Sequence, residues 1–580
     1  MLRDLQTKLS TLTSLQASLT IGLCGLIVFA SGLTSPFQGD DLLQIVDNPY
    51  IKSLGNLPLF FSHSTFYGLN STGTLTGSYY RPLMTTVFSV LYTLFGLHSF
   101  YFHLFQLLIA IGSAILLYLI FRYSFQPPLA LTLALIFLLH PIDSNVVYMI
   151  PCMQDILFFF FGILAMYILI RFTSIKSLVF VAFCLFLSLL AKETAVTFIG
   201  VCLLFLLWWD RKRLLLFTTM LIAPIVAYLV LRSHAIGILG SNPNEAPILR
   251  LSLADRLLTA PSIIQFYITK LIFPWKLANA YFWVYPKFSV THVLVPSLID
   301  AIVIGLGIYA GFRVRRKGSK AMYYTYTFFG VWASLGLLTT LQIIPLDMTA
   351  SEAWFYMPFV GVLGMIGTYF AVFPFRGAPE KFMIAVFVLV ALYGIRTFIR
   401  GFDYSNPEKL AYKNISASKE DYIALDLVAT YQIGAGNYSQ AMPYLQRSIR
   451  FFPTAVNYNL YGTALMQEDN FSAARGAFLN GLKYGTINNL YDGLGKLTVV
   501  SGDYGSNLSI LHAGLEQYPH DANLWLYLAL LEDKYGYNAL AVSAIKNAAK
   551  YGQVSPEIYD NILSNTSFQI SISNTQGVTF

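Results

Sequence analysis

Two adjacent carboxylates, Asp40 and Asp41, follow the first apolar run of the chain. Neighbouring negative charges raise the pKa of one of the two groups, which suits a carboxylate to take a proton from a hydroxyl near neutral pH. The pair is therefore a candidate general base, and the sequence does not choose between its members. The alternative is structural, since aspartate is a preferred N-cap and would begin a juxtamembrane helix here.

Arg81 and Lys192 are candidate binding groups for an anion, with Glu193 beside the lysine as a further candidate. Arginine presents planar donors that match phosphate oxygens, and a lysine ammonium is a compact positive charge. Polar residues beside membrane spans are functional candidates by default. The structural alternatives are an interfacial anchor for Arg81 and an ion pair between Lys192 and Glu193.

Four further side chains complete the candidate substrate-binding set. His140 suits either a phosphate or a hydrogen-bonded structural role. Asp155 suits the orientation of an acceptor or a cation, and Glu352 and Tyr356 are expected to line a substrate site. No candidate metal site is predicted, because the cysteines show no paired spacing.

Composition places these residues in a membrane protein. Of the 580 residues, 56% are hydrophobic and only 11% are charged, against about 25% charged in soluble domains. So few charges cannot cover the surface of several soluble domains, and an aromatic content of 16% excludes disorder. The net charge of +8 reflects basic loops beside membrane spans, so no nucleic-acid partner is expected.

The apolar runs predict about eleven membrane crossings. Basic clusters at 211–213 and 313–320 fix the cytoplasmic side, which leaves most candidate residues on the outer side. The run 82–98 cannot cross without breaking this order, so it is predicted to be a juxtamembrane or re-entrant helix. A wrong cytoplasmic assignment of the loop at Arg122 is the alternative. The runs are 17–34, 82–98, 102–121, 127–140, 154–171, 176–191, 195–209, 214–232, 292–312, 322–344, 354–373 and 381–399.

The last part of the chain is a repeat array. The pairs Asn437-Tyr438, Asn470-Phe471, Asp503-Tyr504 and Gly536-Tyr537 recur every 33 residues. Small residues lie nine before most of these aromatics, and Pro or Gly closes each unit, which is typical of a tetratricopeptide-type helical solenoid. We therefore expect an all-α protein with a membrane domain over 1–407 and an extracytoplasmic repeat domain over 408–580. Such arrays usually present a groove to a partner segment.

The order of the motifs resembles that of GT-C glycosyltransferases, and within them that of the tetratricopeptide-bearing transmembrane protein O-mannosyltransferases. The motifs cover most of 33–400. They are Phe37-x-x-Asp40-Asp41, Tyr80-Arg81-Pro82, His140-Pro141, Val146-Val147-Tyr148 through Asp155, Arg256 to Pro274, Ala191-Lys192-Glu193 and Glu352-x-x-x-Tyr356-x-Pro358.

The resemblance implies an inverting enzyme that moves a sugar, mannose in that family, from a polyprenyl-phosphate donor to a protein or glycan hydroxyl. In that family an acidic residue of the first outer loop is the base, which falls here on Asp40 or Asp41. No resident cofactor is implied, and the need for a divalent metal is left open. The expected location is the cell membrane of a prokaryote or the endoplasmic reticulum of a eukaryote.

The sequence departs from the family pattern at three places. Asn145 stands where an acidic residue is usual, Gln154 stands where an arginine is usual, and Ala353 or Trp354 replaces an arginine near Glu352. Two other functions remain open. An O-antigen ligase or polymerase would place key residues in a long late outer loop, and the loops after residue 291 are short. A non-catalytic scaffold with a docking solenoid is the other.

Overall fold

The computed structural model describes residues 12–68, 79–237, 246–374, 379–500 and 504–564. The regular secondary structure of these residues is helical, apart from one isolated bridge between Tyr281 and Ala350. The all-α prediction is confirmed. The described residues form two compact units, the first ending at Lys419 and the second beginning at Glu420. The predicted boundary at 407 stands before the helix Pro407–Ala417, whereas the structure divides after it.

The helices of the first unit follow in chain order: α1 Ser14–Phe29, α2 Leu57–Ser62, α3 Pro82–Phe95, α4 Ser99–Phe121, α5 Pro127–Leu139, α6 Ser144–Tyr148, α7 Met153–Arg171, α8 Ile175–Ala191, α9 Val196–Trp209, α10 Arg211–Ile236, α11 Leu253–Ile272, α12 Val295–Lys317, α13 Lys320–Leu338, α14 Tyr356–Val372, α15 Pro379–Tyr404 and α16 Pro407–Ala417.

Seven helices among the described residues are long and apolar enough to cross a membrane, and the bent pair α5–α6 makes an eighth. Three shorter apolar helices are Pro82–Phe95, Ile175–Ala191 and Glu193–Trp209. Helix α3 measures about 21 Å by its helical rise, less than the ~30 Å of a bilayer core. Its juxtamembrane or re-entrant position stays a prediction. A multi-pass membrane protein is confirmed, and the count of eleven crossings stays a prediction.

Burial separates central from peripheral helices. The apolar stretches that contain α7 and α14 are 67% and 61% buried, whereas that of α15 is 11% buried. Helices α13 and α14 approach closely because Gly361 faces backbone, where a Cβ would lie 2.3 Å from the Ala333 nitrogen. Small residues permit such approaches between membrane helices.

The described part of the second unit, 420–500 and 504–564, consists of four helix pairs and a further helix, which confirms the predicted repeats. They are α17 Tyr422–Gly434, α18 Tyr438–Phe451, α19 Ala455–Gln467, α20 Phe471–Gly481, α21 Asn488–Val500, α22 Tyr504–Gln517, α23 Ala522–Lys534, α24 Asn538–Tyr551 and α25 Pro556–Ser564.

The fourth repeat corrects the predicted period. Tyr438 and Phe471 are the first residues of their helices, but Tyr537 is an N-cap and its helix begins at Asn538. Leu540 is 53% exposed, and the neighbouring Ala541 takes the fully buried position that the small residue occupies in earlier repeats. The second helix of the fourth repeat therefore begins 34 residues, not 33, after the start of the corresponding helix at Tyr504. The Asp503 position lies outside the described residues.

Candidate active site

The acidic pair lies in the turn after α1. Gly39, at φ +58°, turns the chain, and a short π-helical segment begins at Leu42. Asp41 stands at the N-cap of that segment, but its side chain accepts no hydrogen bond from it. Instead, Asp41 Oδ2 accepts from the Gln38 N–H at 3.0 Å. Asp41 therefore does not cap the π-helical segment, and its hydrogen bond to Gln38 holds the turn that precedes this segment.

The two carboxylates differ in exposure. Asp41 is 2% exposed, and its Oδ1 is buried without a hydrogen-bond partner among the described residues. Asp40 is partly exposed. Burial raises the pKa of Asp40, the Asp347 carboxylate raises it further, and Arg81 opposes them. Burial also raises the pKa of Asp41 well above its usual range, with the charge of Asp40 adding to it and the Gln38 N–H opposing. Both groups therefore hold a proton more readily than ordinary carboxyls.

Arg81 is the N-cap residue of α3 and acts electrostatically on Asp40. Its Nη2 is 4.0 Å from Glu193 Oε1, and its guanidinium stacks over the Tyr79 ring at 4.3 Å. The Nε atom is buried without a hydrogen-bond partner in the described part of the chain. Tyr79 donates its hydroxyl to Asp347 Oδ2 at 2.7 Å. The arginine is thus held in place with donor capacity to spare.

Lys192 and Asp155 form a buried ion pair. Lys192 Nζ lies 2.6 Å from Asp155 Oδ1, and the two side chains are 8% and 3% exposed. Asp155 is in the first turn of α7, and Lys192 follows α8 directly. The predicted alternative, an ion pair between Lys192 and Glu193, is wrong, since Glu193 turns to Arg81 instead. Asp155, Lys192, Asp40 and Asp41 all act electrostatically on Cys152, so the acidic pair and the ion pair share this neighbour.

Glu352 is held within the protein and does not line an open site. Its Oε1 accepts from the Tyr281 hydroxyl at 2.7 Å and the Ala278 N–H at 2.9 Å, and its Oε2 lies 2.7 Å from Arg400 Nη1. The side chain is fully buried. Both oxygens of this carboxylate are satisfied within the protein, and they join the loop that holds Ala278 and Tyr281 to α15. A substrate contact of Glu352 stays a prediction.

His140 is likewise satisfied by backbone. Its Nδ1 accepts from the Ile142 N–H at 3.2 Å, so Nε2 carries the proton and donates to the Leu271 carbonyl at 3.1 Å. This corresponds to the structural alternative, in which the ring fixes the bend between α5 and α6. Tyr356 packs between the rings of Phe137 and Phe159, with centroids 4.7 and 4.5 Å away, and both Asp143 and Asp155 act on it electrostatically.

Sequence reasoning did not select Asp347 or Arg232 as site residues. Asp347 acts on Asp40, and Arg232 acts with Arg81 and Lys192 on Glu193. Arg232 carried the same signal as Arg81, a cation at the outer end of an apolar run. Among the described residues, no group of three or more His, Cys, Asp or Glu side chains is arranged to hold a metal ion.

No family model matches the chain. Curated relatives are human protein O-mannosyl-transferase TMTC1, 29% identical over 194 residues, its mouse counterpart, 28% identical over 194 residues, and human protein O-mannosyl-transferase TMTC4, 27% identical over 174 residues. These alignments cover 31%, 31% and 27% of this chain. They confirm the resemblance to that group of O-mannosyltransferases.

The chain spans about a fifth of the length of these relatives, 22%, 21% and 23% of each. Among solved structures, it aligns with a chain from the crystal structure of the APC/C hetero-tetramer Cut9–Hcn1 at a TM-score of 0.25 and 12% identity, over 84% of this chain and 90% of that chain. Nothing about fold or function follows from a likeness at that score.

Proposed function

We propose that the protein is a membrane glycosyltransferase that transfers mannose from a polyprenyl-phosphate donor to a protein or glycan hydroxyl on the extracytoplasmic or lumenal side. The observation that carries this proposal is the position of Asp40 and Asp41 near Arg81 and the buried Asp155–Lys192 ion pair, where burial raises the pKa of both acids. A base beside cations is what glycosyl transfer from a phosphate requires. The similarity to protein O-mannosyl-transferases supports the sugar and the acceptor class.

The reaction is a single displacement. An acceptor hydroxyl attacks the anomeric carbon as the bond from that carbon to the phosphate oxygen breaks on the opposite face, so the configuration inverts. The hydroxyl proton passes to the carboxylate base and then to water. Charge grows on the departing phosphate, and the nearby cations stabilise it in the transition state.

Asp40 is the better base of the two. It is the partly exposed member of the pair and the one on which Arg81 and Asp347 act. Asp41 is buried, and its Oδ2 is bonded to Gln38 N. We assign proton transfer to Asp40 and the shape of the turn to Asp41. The repeat domain then recruits the acceptor, as solenoid grooves commonly do.

The test supplies purified protein with radiolabelled polyprenyl-phosphate-mannose and peptides rich in serine and threonine. Asp40→Asn is expected to lower transfer by about 10²–10⁴-fold, the usual contribution of a general base. Asp47→Asn is the matched control, because Asp47 is an exposed carboxylate in the same loop. Equal transfer by wild type and Asp40→Asn would remove the base assignment. A wild type that transfers nothing would favour the scaffold.

A further inference from the structure

An apolar groove lies between α8 and α10. Its volume is about 290 Å³, and its lining residues are Val179, Ala182, Phe183, Phe186, Met220 and Pro224. The apolar stretch of α10 is only 17% buried, so this helix faces outward over most of its surface. In a membrane, that surface meets lipid chains. We call this feature the α8–α10 groove.

The groove has a cause in the sequence of α10. Pro224 lies inside this helix, and proline has no N–H to give the carbonyl of Met220 one turn earlier. The proline ring also clashes with that carbonyl, which favours a local bend of the helix. Both Met220 and Pro224 line the groove. The groove therefore lies at the level of α10 where one backbone hydrogen bond is missing.

Both walls of the groove lead toward the candidate active site. Helix α8 ends at Ala191, one residue before the Lys192 of the ion pair, and Phe186 lies about 9 Å along the helix from that lysine. Helix α10 carries Arg232, about 12 Å along the helix from Pro224. The two helices pack against each other, and the charge of Arg232 acts on Glu193, two residues after the end of α8. A chain in the groove would have its polar end near these cations.

The cationic end has unused hydrogen-bonding capacity. Arg232 Nη1 and Arg81 Nε are both buried without a hydrogen-bond partner in the described part of the chain, as is Glu193 Oε2. The charges of Arg81 and Arg232 both act on Glu193. Native structures seldom leave buried polar atoms unpaired, and such a group points to a ligand or water. Two arginines and one glutamate sum to one positive charge, which matches the single negative charge of a sugar phosphodiester.

We propose that the α8–α10 groove holds the isoprenoid chain of the donor next to its head group, and that Arg232 together with Arg81 binds the donor phosphate. This inference rests on the proposed function and specifies its donor site. The isoprenoid chain enters the groove laterally from the bilayer. It then exchanges contacts with lipid for contacts with the protein. The phosphate stays at the membrane edge because a charge at depth is costly. The arginines then gain interaction as the phosphate leaves with more negative charge.

The first experiment compares a long polyprenyl-phosphate-mannose with geranyl-phosphate-mannose in detergent. Val179→Trp fills the groove from a side chain that is already 55% exposed, so folding is preserved. We expect it to lower the ratio of kcat/KM for the long donor to that for the short donor by about tenfold, an energy of about 1.4 kcal/mol. Val230→Trp is the matched control, since Val230 is exposed on α10 and does not line the groove. It should keep the wild-type ratio.

The second experiment addresses Arg232. Arg232→Gln should raise KM for long and short donors alike by about tenfold or more, and Arg232→Lys should recover part of the loss because it keeps the charge but not the planar donors. Native mass spectrometry with long-chain polyprenyl phosphate measures binding without turnover. Both Arg232→Gln and Val179→Trp should retain less lipid than Val230→Trp.

The outcomes separate this inference from the proposed function. If wild type transfers mannose and Val179→Trp and Val230→Trp show the same donor ratio, the groove assignment fails and the glycosyltransferase stands. If wild type transfers nothing, the proposed function fails. The lipid-retention measurement then decides alone whether the groove and Arg232 bind a polyprenyl phosphate, and equal retention by all variants overturns the inference.

Discussion

Lys192 Nζ lies 2.6 Å from Asp155 Oδ1, and both side chains are almost fully buried. The pair joins the end of α8 to the first turn of α7, beside the acidic pair. A buried ion pair adds little net stability, but the loss of one partner strands a charge. The pair therefore holds the ends of α7 and α8 in position at the candidate site more than it stabilises the fold.

Lys192→Met is expected to destabilise the first unit by about 3–5 kcal/mol, because Asp155 would remain buried and uncompensated. The double variant Lys192→Met/Asp155→Asn should lose less than the sum of the two single losses. Thermal unfolding of the protein in detergent measures all three. Lys52→Met serves as the control, since Lys52 is exposed. Strict additivity in the double variant would show that the two side chains do not interact.

The pH dependence of transfer should follow the acidic pair. When the pKa of the base is raised, transfer falls at a higher pH than it would with an ordinary carboxylate, because the base becomes protonated there. Asp347 helps to raise the pKa of Asp40, so Asp347→Asn should lower that pKa and move the acidic limb of kcat/KM to lower pH by up to about one unit. Asp47→Asn should leave the limb in place. A shift to higher pH would contradict the assigned environment of Asp40.

We expect a substitution of Glu352 to lower the stability of the protein and to leave donor binding unchanged. Its carboxylate is fully buried and bonded to Tyr281, Ala278 and Arg400. Glu352→Gln keeps the shape but leaves Arg400 charged and unpaired, at an expected cost of about 3–5 kcal/mol. The thermal midpoint should fall, while the donor KM of the protein that remains folded should stay near the wild-type value. A raised donor KM at an unchanged midpoint would restore Glu352 as a substrate contact.

Local sequence signals predicted where the helices lie and which residues are polar at their ends, because apolar runs and charges are readable one segment at a time. They did not predict pairing. Lys192 pairs with Asp155, which lies 37 residues away along the chain, and not with the adjacent Glu193. Glu352 finds Arg400 only because α15 packs beside the bend after α5. Such choices depend on tertiary contacts, and a single sequence contains no direct signal for them.

The repeat domain was more predictable, since each unit packs only on its neighbours. The fixed period of 33 residues correctly predicted the helix starts at Tyr438, Phe471 and Tyr504. The fixed period did not predict the one-residue shift at Tyr537. An aromatic residue can be the N-cap or the first helical residue, and the sequence looks the same in both cases. Burial of Ala541 in place of Leu540 reveals the shift.

We expect larger side chains at the glycines where the repeat helices cross to destabilise the array. A Cβ at Gly462 would lie 2.5 Å from the Phe478 ring, and one at Gly495 would lie 2.2 Å from the Tyr527 ring. Each Gly→Ala change is expected to destabilise the array by about 1–3 kcal/mol through overpacking. Gly476→Ala is the control, since nothing lies within 4 Å of its Cβ position and the helix gains about 0.5–1 kcal/mol. Hydrogen exchange of α19 and α21 in the full chain measures these effects, and equal protection in all three variants would refute the packing argument.

The first repeat should weaken as the pH rises. Burial raises the pKa of Asp426 to about 8, with the Ser448 hydrogen bond opposing and the charge of Asp421 adding, and burial raises the pKa of Asp421 to about 7 against opposing backbone N–H groups. Between an ordinary carboxyl pKa and these values, the folded state binds more protons than the unfolded state, so stability falls with rising pH. Hydrogen exchange of α17 should therefore be slower, once corrected for intrinsic exchange, at pH 5 than at pH 8. Asp426→Asn should flatten this dependence and stabilise the helix at pH 8 by about 1.4 kcal/mol per unit of pKa shift relieved. A pH dependence unchanged in Asp426→Asn would show that this carboxyl does not cause it.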